Sequence, residues 1–392
     1  MKTKEWPLCS LDELGTVGRG KSRHRPRNDP SLYGGPYPFI QTAEVTAADP
    51  YINNYSKTYS ETGLAQSKIW EPGVLCIVNA GENTAENAIL NIRACFPDSI
   101  IAFEADPEKS NVTYIKYYLD LIKADIRKVT KGTTQDNLSV QKLLKFKIPT
   151  PSIAQQNEIA RVLTGYDNLI ENNNRRIAIL EDMAQSLYRE WFVKFRFPAF
   201  EGSKFKESSL GRIPKDWSVK RLDDFVVLQR GFDLPKRKRN EDGGVPIYAA
   251  SGITGYHDET KTKAPGLVTG RSGTLGVVKI VLEDFWPLNT SLWVKEFKNC
   301  TAYYAFYLLS GLELARFNSG ASVPTLNRND VHGHQVVAPP ASLISEFEFI
   351  AKDFFQQVEV LTKKNRVLSE QRDLLLPKLI SGRLRIKGDV NG

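Results

Sequence analysis

The chain has 392 residues, of which 41% are hydrophobic and 25% charged, with a formal net charge of +8 at pH 7. This length predicts two or three domains, and no apolar run is long enough for a membrane-spanning helix. The first residues lack the apolar core of a signal peptide, and the four cysteines stand far apart without a C-x-x-C pair. These features argue against a zinc site and a disulfide framework, and they predict a cytoplasmic protein with free thiols. The positive charge suits a nucleic-acid partner.

The sequence repeats itself at widely separated edges. Trp6-x4-Leu11 and Arg19-Gly20 recur as Trp217-x4-Leu222 and Arg230-Gly231, with one offset of 211 residues. A second match pairs 132–138 with 320–326 at an offset of 188 residues. Similar edges around dissimilar middles indicate one scaffold that carries two different segments.

The two variable segments, 15–130 and 231–320, have the pattern of α+β globular domains. Short β-type runs occur at 73–78, 99–103, 266–269 and 276–281, and short helices are predicted at Val112–Lys123 and Ala302–Leu312. Glycine, proline and asparagine separate these runs, as expected of turns.

A long helix is predicted after each proline-rich stop, from about Ile153 to Phe195 and from about Leu343 to Pro377. Apolar residues recur every seven positions in both, which favours coiled-coil packing, although ordinary core helices would also bury such rows. The predicted helix–helix seam consists of Tyr166, Ile170, Asn173, Ile177, Leu180, Phe354, Val358, Leu361, Asn365 and Leu368. The two seam asparagines can fix the helix register. A segment rich in Gly, Ser, Lys and Pro, 201–215, is predicted to be a linker.

Basic and short polar side chains cluster after each Arg-Gly pair and near each second edge. Lysine and arginine give phosphate contacts, and arginine also reads guanine edges. The candidates in the first half are Arg19, Lys21, Arg23, His24, Arg25, Lys131, Thr133, Thr134 and Gln135, with Arg27 in the same basic run. Those in the second half are Arg230, Lys236, Arg237, Lys238, Arg239, Arg271, Ser272, Asn318 and Ser322. The alternative is that these are solvated loops and plain turns.

Two other motifs are rejected as sites. Residues 15–22 match the P-loop pattern, but no apolar strand precedes them, and Pro26 and Pro30 oppose the helix that should follow. His332 and His334 are interpreted as surface or turn residues rather than metal ligands. We find no methyltransferase or nuclease motif.

In order and duplication, these features resemble the specificity subunits of type I restriction–modification enzymes. The resemblance covers nearly the whole chain and is carried by the two Trp-x4-Leu starts, the edge 132–138, and the entry Ile148-Pro-x-Pro151 into the first long helix. Residues 270–276 and 285–290 look like the family's target-domain loops, and they add Asn289 and Thr290 to the candidates. The family's Pro-x-x-x-Glu-Gln before the helix is varied here, and only Glu346 stands for it in the second half.

The resemblance implies an α+β fold with two globular α/β target recognition domains in a pseudo-two-fold repeat, joined by two long antiparallel coiled-coil helices. The predicted segments are recognition domain 1 (1–151), spacer 1 (152–200), a linker with recognition domain 2 (201–340), and spacer 2 with a basic tail (341–392).

It also implies the function. A non-catalytic subunit would bind double-stranded DNA at a bipartite target, one half-site per domain, and direct two methyltransferase subunits and restriction subunits to it. No cofactor is expected in this chain, since S-adenosylmethionine would belong to the methyltransferase subunits, and ATP and Mg to a restriction subunit. The alternatives are a P-loop ATP-binding enzyme at 15–22 and a coiled-coil assembly scaffold.

Overall fold

The computed structural model describes residues 6–48, 50–130, 137–198, 204–320, 322–384 and 386. The chain forms two compact units, unit 1 with residues 1–172 and 364–392, and unit 2 with residues 173–363. Within the described ranges, no helix has both the length and the apolar character to cross a membrane.

Unit 1 is built on a five-stranded sheet. Its strands are β1 (Leu8–Cys9), β2 (Gly15–Arg19), β3 (Tyr33–Phe39), β4 (Tyr51–Ile52), β5 (Lys57–Tyr59), β6 (Ile69–Trp70), β7 (Leu75–Val78), β8 (Asn87–Leu90), β9 (Ala94–Cys95), β10 (Ile100–Ala105) and β11 (Ile148–Pro149). Its shorter helices are α1 (Leu11–Leu14), α2 (Thr42–Ala47), α3 (Glu61–Ala65), α4 (Val112–Leu121), α5 (Lys123–Thr130) and α6 (Val140–Leu143). The main sheet has the order β2-β10-β7-β8-β4, and a second sheet has the order β5-β3-β9-β6.

Side chains alternate between two cores across the main sheet of unit 1, as the two-residue period of a strand requires. One core contains Leu75, Ile77, Ile101 and Phe103. The other contains Cys76, Val78, Ile100 and Ala102. Both faces of β7 and β10 are therefore covered, which explains why these strands are continuous apolar runs in the sequence.

Unit 2 repeats this arrangement. Its strands are β12 (Phe205–Ser208), β13 (Gly211–Pro214), β14 (Ser218–Arg221), β15 (Val226–Arg230), β16 (Val245–Ala249), β17 (Gly252–His257), β18 (Gly266–Gly270), β19 (Val278–Val281), β20 (Trp286–Pro287), β21 (Ser291–Phe297) and β22 (Gln335–Ala338). The sheet order β15-β21-β18-β19 matches β2-β10-β7-β8 of unit 1. The helix α8 (Ala302–Ser310) packs on β19 as α4 packs on β8, and α9 (Arg328–His332) precedes β22.

The repeated sequence edges are paired strands. In unit 1, β1 pairs with β11 and joins Cys9 to Ile148. In unit 2, β14 pairs with β22 and joins Arg221 to Gln335. The start and end of each half are therefore hydrogen-bonded to one another, which accounts for the similarity of the edges and the freedom of the segments between them.

Two long helices each pass through both units, α7 (Ile153–Tyr188) and α10 (Ala341–Ile380). In unit 1, Arg372 Nη1 of α10 donates a hydrogen bond to Asp167 Oδ1 of α7 over 2.5 Å. In unit 2, the ring of Tyr188 near the end of α7 packs edge-on against Phe347 near the start of α10. Since α7 runs from unit 1 into unit 2 and α10 from unit 2 into unit 1, the two helices run in opposite directions, which confirms the predicted fold class.

The ends of the long helices differ from the prediction. The α-helix of α7 ends at Tyr188 and is followed by a π-helical turn, Arg189–Val193, before Phe195 adopts a φ of +58°. The second helix does not stop at Pro377 but continues to Ile380. Proline removes one backbone hydrogen bond, but Leu379 and Ile380 are buried in the core of unit 1 and hold the last turn in place.

The predicted linker 201–215 contains the hairpin of β12 and β13. Its turn places Gly211 at a φ of +89°, which glycine adopts without steric cost. Nearby, Trp217 packs against the rings of Phe192, Phe195 and Phe197. The described part of the predicted linker is therefore a hairpin rather than an open chain, and its glycine and serines serve a tight turn.

Every residue of the predicted seam is half-buried or buried, in contrast to most of its neighbours on the two helices. Leu361 is 4% exposed, while Val360 beside it is 52% exposed. The predicted rows therefore coincide with the less exposed stripe of each helix.

Candidate nucleic-acid interface

One edge of the main sheet in unit 2 gathers most of the candidate residues of the second half. Strand β15 ends at Arg230, β18 ends at Gly270, and β21 begins at Ser291. Since β21 is antiparallel to both neighbours, these three ends meet at the same edge. Arg230, Arg271, Ser272, Asn289 and Thr290 therefore lie close together.

Backbone hydrogen bonds fix the loops at this edge. The N–H groups of Arg271 and Ser272 both donate to Thr290 O, over 2.9 and 3.1 Å. Leu326 N donates to Arg271 O over 2.8 Å. Asn318 Oδ1 accepts hydrogen bonds from the N–H groups of Gly320 and Thr325, which draws the second edge of the repeat to the same place.

Unit 1 contains the same framework. Asn79 N donates to Ser99 O over 3.0 Å, and Leu138 N donates to Asn79 O over 2.7 Å. Asn79 is thus the equivalent of Arg271, Ser99 of Thr290, and Leu138 of Leu326. The two units share a backbone frame at this edge while presenting different side chains from it.

A glycine at the start of each basic segment allows the close approach of two chain segments. Gly20 N donates to Ile100 O, and Gly231 N donates to Ser291 O, over 2.9 and 3.1 Å. A Cβ on Gly20 would lie 2.1 Å from the carbonyl oxygen of Pro97, and one on Gly231 would lie 2.3 Å from that of Leu288. No other residue fits either position without moving the backbone, which explains why Arg-Gly is repeated in the sequence.

The basic side chains of unit 1 differ in whether they already form ion pairs or hydrogen bonds with other residues. Arg19, Lys21 and Arg23 form no ion pair with any described residue. The ring of His24 lies 3.0 Å from Asp29 Oδ2. Hydrogen bonds from Ser31 and His24 lower the pKa of the Asp29 carboxyl.

Arg25 and Arg27 lie beside one acidic residue. Arg25 Nη1 donates to the carbonyl oxygens of Ser22 and His24 over 2.9 and 2.8 Å, so this guanidinium supports its own loop. Arg27 Nη2 donates to both carboxylate oxygens of Asp98, over 2.7 and 3.0 Å. Arg19, Lys21 and Arg23 are therefore the cations of this segment that have no acidic partner among the described residues.

In unit 2, Arg230 Nη2 lies 3.3 Å from Asp233 Oδ1, and Asn289 Nδ2 donates to the same carboxylate oxygen. Lys236, Arg237 and Lys238 form an exposed 3-10 turn and make no ion pair with a described residue. Arg239 donates instead to the carbonyl oxygens of Leu234 and Thr254, so its role in this structure is to hold its own loop.

Four candidates of the first half, Lys131, Thr133, Thr134 and Gln135, lie outside the described residues. In the second half, the equivalent segment is described except for residue 321, and Ser322 is exposed there. Thr290 is half-buried, and its buried Oγ1 has no hydrogen-bond partner among the described residues.

The geometry rules out the P-loop alternative. Residues 15–19 are strand β2, paired along its length with β10, and the short helix α1 precedes the strand rather than following the loop. A P-loop requires the reverse order, a strand before the glycine-rich loop and a helix after it.

The two histidines have structural partners. His332 Nε2 accepts a hydrogen bond from Leu228 N over 2.8 Å, and burial lowers the pKa of its ring. His334 lies 3.0 Å from Arg316 Nη2. In the part of the chain that the structure describes, no group of three or more His, Cys, Asp or Glu side chains could hold a metal ion.

Three polar residues at these edges were missed from the sequence. Asn79, Asp98 and Asp233 all hold loops or arginines in place, as the hydrogen bonds above show. A signal existed for Asn79, because it directly follows the apolar run 73–78 just as Gly270-Arg271 follows the run 266–269. The two aspartates gave no such signal, because an acidic residue in a basic segment reads as an ordinary surface charge.

Comparison with known proteins gives a consistent result. The family model of the type I restriction modification DNA specificity domain matches residues 3–182 and 214–342, one match for each repeat. The type I restriction enzyme MjaIX specificity subunit of Methanocaldococcus jannaschii is 24% identical over 416 residues, covering 98% of this chain and 94% of the relative. The EcoprrI specificity subunit of Escherichia coli is 22% identical over 270 residues, covering 66% of this chain and 65% of the relative.

Among solved structures, the S subunit of a type I restriction–modification system from M. genitalium has the same fold, with a TM-score of 0.63 and 18% identity over 97% of both chains. The family match covers well over half of the sequence and follows the duplication seen in the structure. The chain therefore belongs to the type I restriction modification DNA specificity domain family.

Proposed function

We propose that this chain is the DNA target-recognition subunit of a type I restriction–modification complex and that each unit reads one half of a bipartite target. The chain itself would catalyse no reaction. Its task would be to place partner subunits at a chosen sequence, through side chains at the two sheet edges built around Asn79 and Arg271.

One observation carries this proposal. The two sheet edges have the same backbone hydrogen bonds, Asn79 N to Ser99 O in unit 1 and Arg271 N to Thr290 O in unit 2, but different side chains. A shared frame with different side chains is what two readers of different short sequences require, since base edges are distinguished by the donors and acceptors presented to them.

The charge in the basic segment that follows each Arg-Gly pair supports a DNA ligand. Arg19, Lys21 and Arg23 in unit 1, and the turn Lys236–Lys238 in unit 2, are cations without an acidic partner among the described residues. Unpaired lysine and arginine side chains are suited to phosphates, which give affinity, while the framed loops are suited to base edges, which give specificity. Two readers joined in one chain also gain affinity through effective concentration.

We further propose that the long helices dock two methyltransferase subunits and that restriction subunits join the complex. Each helix carries exposed apolar side chains outside its buried stripe, such as Ile179 on α7 and Leu374 on α10, which are 59% and 64% exposed. Exposed apolar side chains on a helix face suit a protein partner. S-adenosylmethionine would then be bound by the methyltransferase subunits, and ATP and Mg by the restriction subunits.

An exchange of one variable segment tests the two-reader model. Residues 15–130 would be replaced by the matching segment of a specificity subunit with a different target, and the methylated motif would be determined in cells with the methyltransferase. We expect one half of the motif to change, while the other half stays the same. A change in both halves, or in neither, would contradict independent readers.

A further inference from the structure

We propose that Arg27, oriented by Asp98, reads a guanine in the half-site that unit 1 recognises. This inference rests on the proposed function of the chain and deepens it, since it assigns a specificity-determining pair and the base pair it takes.

The ion pair between Arg27 and Asp98 has good hydrogen-bond geometry but contributes little to the stability of the fold. Arg27 Nη2 donates to both oxygens of Asp98, over 2.7 and 3.0 Å, while the side chains of Arg27 and Asp98 remain 49% and 41% exposed. Exposed ion pairs contribute little to stability. The other guanidinium nitrogens of Arg27 make no hydrogen bond to a described residue, so they are free to donate to the O6 and N7 acceptors of guanine.

Both partners are also fixed through their backbones. Tyr33 donates its hydroxyl to the carbonyl oxygen of Arg27 over 2.7 Å. Asn79, which is only 3% exposed, donates Nδ2 to the carbonyl oxygen of Asp98 over 2.9 Å. An arginine held at both ends loses less conformational freedom on binding, which is the arrangement that specific recognition favours.

A carboxylate at this edge is otherwise unfavourable. Asp98 follows Pro97, which lies against Gly20 between Arg19 and Lys21, two of the cations that we assign to DNA phosphates, and its own charge would repel those phosphates. Its presence is explained if it holds the planar fork of Arg27 in one orientation, because a paired guanidinium presents its remaining donors in a fixed direction.

Unit 2 has a different side chain at the same place. The bond from Ile100 N to Pro97 O has its counterpart from Ser291 N to Leu288 O, over 3.1 and 2.9 Å, so Asp98 corresponds to Asn289. Asn289 donates to Asp233, which pairs with Arg230 instead of an arginine equivalent to Arg27. The same frame thus carries two different arginine–carboxylate arrangements, as expected if each selects its own base pairs.

The test compares methylated motifs in cells that express the chain with its methyltransferase subunits. The variants are Asp98→Asn, which removes the carboxylate charge, and Arg27→Lys, which keeps the positive charge but loses the planar fork. With both, we expect one G·C position of one half-site to lose its preference by roughly 5- to 150-fold, while the other half-site and the spacer stay unchanged. The affected half-site should be the one that changes when residues 15–130 are exchanged.

The control is Glu71→Gln, which breaks another exposed pair of unit 1, that of Glu71 with Arg93 Nε at 2.9 Å. It should leave the motif unchanged. Unaltered base preferences in both variants would overturn the inference, as would a uniform loss of methylation at all sites. Loss of preference with Asp98→Asn but not with Arg27→Lys would assign the reading to the carboxylate and also overturn it. If the wild-type chain directs no split motif at all, the proposed function itself fails, and this inference falls with it.

Discussion

At the scale of single residues, the structure separates side chains that hold the recognition edges from those left free to bind. Gly20 and Asn79 build the frame through close packing and hydrogen bonds to backbone groups, and Arg239 holds its own loop by the same kind of bond. Lys21 is different, because its hydrogen bonds to described residues involve its backbone alone: its N–H donates to Phe96 O over 2.9 Å, and its carbonyl oxygen accepts from Ser67 Oγ over 2.7 Å. From the sequence, Arg239 and Lys21 are equal candidates for DNA contact. The structure distinguishes them, because the side chain of Arg239 is engaged in its own loop.

The Lys21→Ala variant tests a free cation. It keeps both backbone hydrogen bonds but would remove one proposed phosphate contact, so the slope of log affinity against log salt concentration should fall in magnitude by about 0.9 for duplex DNA. The measurement is a salt titration of DNA binding by the complex with its methyltransferase subunits.

Its matched control is Lys109→Ala, because Lys109 follows the opposite end of β10 and pairs with Asp106 at 2.9 Å. This variant should keep the wild-type slope. Equal slopes for wild type and Lys21→Ala would remove Lys21 from the interface.

His332 gives unit 2 a pH-dependent contribution to stability. Burial lowers the pKa of its ring below the ordinary value of 6.5, outweighing the opposite influence of Asp223. Below pH 6.5 the unfolded chain therefore takes up a proton that the folded chain resists, so this contribution is complete above pH 6.5 and is lost as the pH falls through the folded pKa.

We expect the melting temperature of the chain to fall more steeply between pH 8 and pH 5 for wild type than for His332→Gln. Glutamine retains an acceptor for Leu228 N but has no proton to gain in this range. Thermal melts at closely spaced pH values measure the difference, and parallel profiles would show that His332 does not contribute in this way.

At the scale of elements, a buried polar cluster joins the two long helices within unit 1. Arg372 Nη1 and the hydroxyl of Tyr117 on α4 each donate to one carboxylate oxygen of Asp167. Although burial opposes it, the interaction with Asp167 raises the pKa of Arg372, and burial together with that carboxylate raises the pKa of Tyr117. In the sequence, Arg372 occupies a heptad position where an apolar residue is expected. The heptad pattern therefore predicts that Arg372 faces the other helix, but it does not identify Asp167 as its partner.

The Arg372→Met variant should destabilise the chain by about 3 kcal/mol, because it leaves the buried Asp167 carboxylate without its counter-charge. The double variant with Asp167→Leu should regain much of that loss, since it removes both charges. Denaturant unfolding of the chain measures both effects.

The control is Arg161→Met, which breaks an exposed pair with Glu158 on the first turns of α7 and should cost less than about 1 kcal/mol. A loss of the same small size for Arg372→Met would show that the cluster does not stabilise the contact between the helices.

Helices and strands were predictable from the sequence where a repeated spacing of apolar residues defines them. They were less predictable where a single residue decides where an element ends or turns. The heptad rows predicted both long helices, because a seven-residue apolar repeat remains recognisable even when some of its positions are polar. The end of α10 was mistaken because the burial of Leu379 and Ile380 outweighs the local effect of Pro377. The hairpin of β12 and β13 was missed because its signal, glycine and serine in a short run, is the same as that of a linker.

At the scale of the whole molecule, the duplication is the feature from which the function follows. The repeat was visible in the sequence only at its edges, such as Trp6 and Trp217, because the segments between them have diverged. The structure shows that these segments share sheet order and edge hydrogen bonds despite that divergence. Base-contacting side chains could not be predicted in the same way, since selection for different targets removes the similarity that would identify them.

The central claim is that this chain selects a split DNA target for its partner subunits. Genome-wide methylation mapping in cells that express the chain with its methyltransferase, against cells that lack the chain, tests it most directly. We predict a motif of two short specified halves around a spacer of fixed length, present only with the chain. If no new motif appears, while the same methyltransferase is active with another specificity subunit, the chain does not select DNA targets and the claim is contradicted.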